Sequence, residues 1–199
     1  MSLIFSPSDH SYTDDGRRLL SVTQLIRAEG MMTGIDWATD EGRERGTAVH
    51  QAIHYLSEGD LDLESLDSRV APYVWACERF MADTQAETLM VEVPLGSSRY
   101  HYAGTLDWLG WMNGNFTLLD FKSGAFQPWQ EIQLELYRRL VAENADVLGI
   151  DERIQDVYVV QLKADGGYKI HSPAMTPTRI QALTNSILTL HLWRLENAA

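Results

Sequence analysis

Two runs rich in apolar residues, Tyr100 to Trp111 and Phe116 to Gly124, are separated by Met112-Asn113-Gly114-Asn115. Asn-Gly between such runs is the strongest short-range signal of a tight β-hairpin, because both loop residues must take the left-handed conformation that its turn requires. A two-residue loop at Asn113 and Gly114 selects one register, in which Asp107 stands directly opposite Asp120. Opposed residues have Cβ atoms about 4.5–5.5 Å apart on one face, where two like charges destabilise the sheet unless something neutralises them. Side chains alternate along a strand, so Lys122 points to the same face as Asp120. The flanking residues, Leu106-Asp107-Trp108-Leu109 and Leu118-Leu119-Asp120-Phe121, are apolar on both faces. The carboxylates are therefore at least partly buried and require partners, and a divalent cation is the obvious one.

Elements on either side of this hairpin follow from periodicity and caps. Short strands around Asp15-Gly16 lead into a helix that Ser21 can cap. Val49, Ala52, Ile53 and Leu56 recur at helical spacing from about Asp40, and a second stripe runs Val70, Tyr73, Val74, Cys77, Phe80 and Met81. Glu87 to Leu95 reads as a strand, and Trp129 to about Asn144 as a helix with Ile132, Leu136 and Leu140 inward and Gly149 beyond its end. A strand pair surrounds Asp165-Gly166-Gly167, and Thr176 with Pro177 opens a last helix through about Leu195. The order of elements suits an α/β or α+β domain whose mixed central sheet is flanked by helices. With 199 residues, 45% of them apolar, and no linker or repeat, the chain reads as a single domain over 1–199. Its N-terminal hairpin and helices would span 1–85, a core 86–148, and closing strands and helix 149–199.

Charge and cysteine content exclude some functions. Sixteen Lys and Arg against 28 Asp and Glu leave a net charge of −12, which rules out a uniformly basic binding surface. One cysteine, Cys77, excludes a disulfide framework and a four-cysteine zinc or iron–sulfur site. The N-terminus lacks a signal-peptide pattern, and no uncharged run approaches the roughly 18 residues of a membrane span. A cytoplasmic, intracellular protein with no membrane partner is the expectation.

Gly104-Thr105-Leu106-Asp107, followed by Leu119-Asp120-Phe121-Lys122-Ser123-Gly124, resembles the motif pair of the PD-(D/E)XK nuclease superfamily, in its RecB-type exonuclease branch. Arg45-Gly46-Thr47-Ala48-Val49-His50 resembles the upstream histidine motif of that branch, and Gln133-Leu134-Glu135-Leu136-Tyr137 its downstream Gln-x-x-x-Tyr helix. Leu20 to Ile26 is similar to the Ser-Val-Thr segment of phage exonucleases and of the mitochondrial genome maintenance exonuclease. These motifs cover residues from about 10 to 140 in family order, and the last 60 residues carry none.

The resemblance implies a restriction-endonuclease-like core and hydrolysis of DNA phosphodiesters with one or two Mg²⁺ or Mn²⁺ ions and no iron–sulfur cluster. It implies metal ligation by His50, Asp107, Asp120 and the backbone carbonyl of Phe121. Lys122 would act with the two aspartates in catalysis, orienting water and stabilising developing charge. Gln133 and Tyr137, at i and i+4 on one helix face, would border the site, with Arg45 and its neighbour Arg43 as a local basic lip for DNA. His54 keeps the reading of an ordinary helix residue, and Glu92 that of an edge-strand charge, with outer metal ligation as its alternative. Expected partners are DNA ends, single-stranded regions included, and a recombination protein in a phage or bacterial recombination or repair setting. A catalytically silent nuclease-like module binding DNA or protein, and a structure-selective endonuclease on the same fold, are the alternatives.

Overall fold

The turn at Asn113 and Gly114 forms with φ of 52° and 82° in the computed structural model, which describes residues 2–7, 9–32 and 39–197. In chain order the strands and helices are β1 (Leu3–Ser6), β2 (Ser11–Asp14), β3 (Arg17–Ser21), α1 (Val22–Ala28), α2 (Asp40–Glu58), α3 (Ala71–Thr84) and β4 (Glu87–Ser97). They continue with β5 (Tyr102–Met112), β6 (Asn115–Lys122), α4 (Trp129–Glu143), α5 (Ala145–Leu148), β7 (Asp156–Leu162), β8 (Tyr168–His171) and α6 (Pro177–Asn197). Every expected element is present. The additions are β1, which extends the first hairpin to three strands, and α5, a single turn too short to leave a periodic signature.

Pairing runs β1-β2-β3-β5-β6-β7-β8, with β4 also on β5. The β3–β5 and β6–β7 pairs are parallel and the others antiparallel, so the sheet is mixed as expected. Helices cover both faces because its central strands are apolar on both sides. On one face α1, α4 and α6 bring Leu25, Ile26, Leu136, Leu140 and Ile187 against Leu109, Phe116 and Leu118. On the other, α2 and α3 bring Val49, Ile53, Val74 and Phe80 against Trp108, Leu119, Phe121 and Val160.

Local chemistry sets the helix entries near the acids. Ser21 accepts from the Gln24 N–H while the Gln24 side chain accepts from the Ser21 N–H, a capping box that starts α1 at the end of β3. Thr39 caps α2 through the Gly42 N–H. Gly104 permits a close approach of α4 to β5: a Cβ there would lie 2.7 Å from the Tyr137 ring and 2.9 Å from Val22. No helix among the described residues is long and apolar enough to cross a membrane.

Candidate active site

A strand has two edges, and β4 occupies one edge of β5 from Trp111 to Tyr102. On the other edge β3 pairs at Tyr102 and Ala103, and β6 pairs from Met112 back to Trp108. Residues 104–107 thus face a gap between β3 and β6. The expected hairpin register is the observed one, with Trp108 opposite Leu119, but the ladder stops one pair short of Asp107 and Asp120. Beyond that point β5 and β6 part while β6 stays paired with β7, and the Asp107 side chain bridges the two strands: its Oδ2 takes the Phe121 N–H at 2.7 Å. That bond holds the carboxylate at the mouth of the gap.

Three further groups converge there. His50, from the middle of α2, places Nδ1 3.2 Å from Glu92 Oε1 and 3.5 Å from Asp107 Oδ2. Glu92 interrupts β4 with a left-handed φ of 51°, between the Val91–Trp108 and Val93–Leu106 pairs, and so lies beside Asp107. A non-glycine residue in that conformation is strained, which redirects its side chain out of the ladder toward His50. Asp120 is 1% exposed, with Oδ1 lacking any hydrogen-bond partner and Oδ2 facing Lys122 Nζ at 2.6 Å.

The electrostatics reflect two buried carboxylates, Asp107 and Asp120. Burial raises Asp107, overcoming the attraction of His50 and Lys122. Burial likewise pushes Asp120 up to about 6 against the pull of Lys122, with Asp107 reinforcing the rise. Burial opposes the charge on His50, yet Asp107 and the hydrogen bond that His50 donates to Glu92 outweigh it and raise the imidazole to about 9. Lys122 is raised in the same way, burial acting against Asp120 and Asp107. Tyr137 is driven well above its usual range, first by burial and then by Asp107 and Asp120, so its hydroxyl stays neutral and able to donate.

The donor set fits a divalent cation. Ligand atoms of His50, Glu92 and Asp107 all lie within 4.8 Å of one another, whereas Asp120, expected among the ligands, falls outside that group and pairs with Lys122, its Oδ1 remaining an orphaned buried oxygen of the kind a cation satisfies. One imidazole nitrogen with several carboxylate oxygens is a hard, oxygen-rich set suited to Mg²⁺ or Mn²⁺. In the metal-free protein the protons on His50 and Lys122 supply the neutralising charge.

Around this cluster, Gln133 and Tyr137 of α4 are both buried, with Gln133 Nε2 3.4 Å from the Tyr137 hydroxyl and Gln133 Oε1 unpartnered. Arg45 goes elsewhere. Its guanidinium lies over the Tyr73 ring at 5.5 Å, in a cavity of about 420 Å³ whose lining includes none of the clustered acids. Arg43 ion-pairs with Asp40 in the first turn of α2, and His54 lies near Glu58 at 3.7 Å. Glu92 joins the cluster, as its alternative reading of metal ligation had it rather than the preferred edge-strand charge, and sequence reasoning missed Tyr12, whose hydroxyl bonds Thr105 Oγ1 at 2.8 Å. The signal for Glu92 was a lone carboxylate between Val91 and Val93; Tyr12 left none.

No family model matches the chain, and no curated protein matches it. Among solved structures, a "Putative exonuclease" from Eubacterium rectale superimposes with a TM-score of 0.50 at 12% identity, over 92% of this chain and 76% of that one. The class this defines is a fold: a mixed sheet flanked by helices, shared with a nuclease-like protein.

Proposed function

We propose that the protein is a divalent-metal-dependent DNA exonuclease of RecB type, acting on strand ends in recombination or repair. One observation carries the reading: ligand atoms of His50, Glu92 and Asp107 lie within 4.8 Å of one another at a gap in the sheet, beside the buried Asp120–Lys122 pair with its unpartnered carboxylate oxygen. A protein without catalytic work there has little reason to bury two carboxylates beside a third acid. His50, Glu92, Asp107 and Asp120, with the Phe121 carbonyl that the family resemblance adds, would hold Mg²⁺ or Mn²⁺. When bound, the ion supplies Lewis acidity that acidifies water and neutralises charge on the scissile phosphate.

The chain's own groups do the rest. The bond from the Phe121 N–H orients Asp107, and burial keeps competing water away from Asp120. Lys122, anchored on Asp120, presents an ammonium that positions the attacking water and stabilises charge gathering on the phosphate oxygens. The neutral Tyr137 hydroxyl and the Gln133 amide offer hydrogen bonds to the strand backbone or to Lys122.

Attack from ends is what the family resemblance implies, and the charge of the chain supports it. Each phosphate contact on internal duplex demands a cation, and a −12 chain has few to offer, whereas a frayed end adds stacking worth about 1–3 kcal/mol per base. With Mn²⁺ or Mg²⁺, end-labelled linear DNA should be degraded with little sequence preference and closed circles should survive, while EDTA abolishes the activity. Nicking of closed circles that disappears in Asp107→Ala would instead make the site endonucleolytic.

A further inference from the structure

The chain contains three lysines against 13 arginines, and all three lie at one end of the sheet. Lys122 of β6 pairs with Gln161 of β7, and Gln161 pairs with Lys169 of β8. Paired residues project to the same face, so these side chains form one row leading away from the acid cluster. Lys163 follows Gln161 by two residues, and its N–H still bonds the Gly167 carbonyl across the β7–β8 hairpin at 2.9 Å, which keeps it on that face. Lys163 and Lys169 are exposed, and neither forms an ion pair among the described residues.

The neighbouring row consists of Asp120, Val159 and His171. His171 Nε2 lies 3.1 Å from Gln161 Oε1, and the Phe126 ring stacks on the imidazole with centroids 4.5 Å apart and planes inclined by 8°. Both rings are partly exposed. Burial holds His171 below its ordinary value, and Lys169 and Lys163 add to the effect, as expected of two ammonium groups close to the ring.

We propose that this row is the track of a single DNA strand, which leaves the acid cluster at Lys122 and crosses β6, β7 and β8 with its phosphates on Lys169 and Lys163 and a base against the Phe126–His171 pair. The proposal rests on the nuclease reading and adds where the strand lies. Three features favour a single strand as the occupant. Adjacent strands are about 4.8 Å apart, so Lys122 and Lys169 rise from backbones about 10 Å apart, and their flexible stems can reach consecutive phosphates of one chain. An aromatic pair beside cations matches unpaired bases, whose faces a duplex hides. Concentrating every lysine on one edge also gives an otherwise acidic molecule a local path for a polyanion.

The test is the salt dependence of binding. A fluorescein-labelled oligothymidylate of about 12 nucleotides is titrated by anisotropy in EDTA, so that nothing is cleaved, across a series of salt concentrations. Each phosphate contact on a single strand contributes a slope of about 0.7, so Lys163→Gln/Lys169→Gln should lower the slope by about 1.4 and weaken binding about tenfold at low salt. Arg79→Gln/Arg153→Gln removes the same charge from α3 and from the chain before β7, and should keep the wild-type slope. A blunt duplex should bind more weakly than the single strand. An unchanged slope in the lysine variant, a duplex preference, or an equal loss in the arginine variant would each overturn the track. Digestion of linear DNA in Mn²⁺ by wild type is measured in parallel. Digestion with an unchanged slope sinks the track alone, and a lowered slope without digestion sinks the nuclease reading alone.

Discussion

Lys122 is the residue at which structural and chemical roles can be separated. It touches Asp120 at 2.6 Å, and its removal leaves the imidazole and carboxylate donors in place. Lys122→Ala should therefore reduce cleavage of linear DNA by about 10² or more while Mn²⁺ still raises the thermal midpoint. Near-wild-type cleavage would leave Lys122 with ion pairing only. His50 gives a second expectation, in the metal-free protein. Its imidazole is held at about 9 against an ordinary 6.5, so the stability it contributes is complete below about pH 6.5 and is lost as the pH rises through about 9. Urea titrations should show a decline on the order of 3 kcal/mol across that window, and His50→Gln should flatten it. A wild-type profile with no decline there would contradict the His50–Glu92–Asp107 arrangement.

The β5–β6 hairpin was legible because a two-residue turn admits one register, and that register carries Asp107, Asp120 and Lys122 to the same end of the hairpin. What the turn could not reveal is the parting of β5 and β6 beyond Trp108, where β6 continues only in its parallel pairing with β7, a strand some 40 residues away. Glu92 was obscured for a related reason. A register shift between Thr88 and Met90 and a left-handed residue break the alternation on which its placement would have been read. Tyr12 reaches Thr105 across 93 residues of sequence, which no local pattern encodes. Arg45 was within reach of sequence reasoning: five residues from His50 is a rotation of about 140° on a helix, so the two cannot share a face. At this scale Gly104 is the sensitive point, where α4 presses Tyr137 onto β5. Gly104→Ala should destabilise the protein by about 1–3 kcal/mol in urea unfolding, because the added methyl meets both Tyr137 and Val22. A change below about 0.5 kcal/mol would mean that α4 is not held so closely.

Across the whole molecule, an acidic chain collects its compact cations at one sheet end and its buried acids at a fork beside them. The acids repel one another when only two protons from His50 and Lys122 offset them, so a cation that binds the folded state alone must stabilise it. The gain follows RT ln(1 + [L]/Kd), about 2.7 kcal/mol at a hundredfold excess over Kd. The direct measurement is a titration of Mn²⁺ into wild type and Asp120→Asn, followed by unfolding in the presence and absence of the ion. Wild type should bind and gain stability of that order, and Asp120→Asn, which keeps the shape but removes the carboxylate charge, should lose most of both. An equal metal-induced gain in the two proteins, or none in wild type, would contradict the assignment of this cluster as a metal-dependent site.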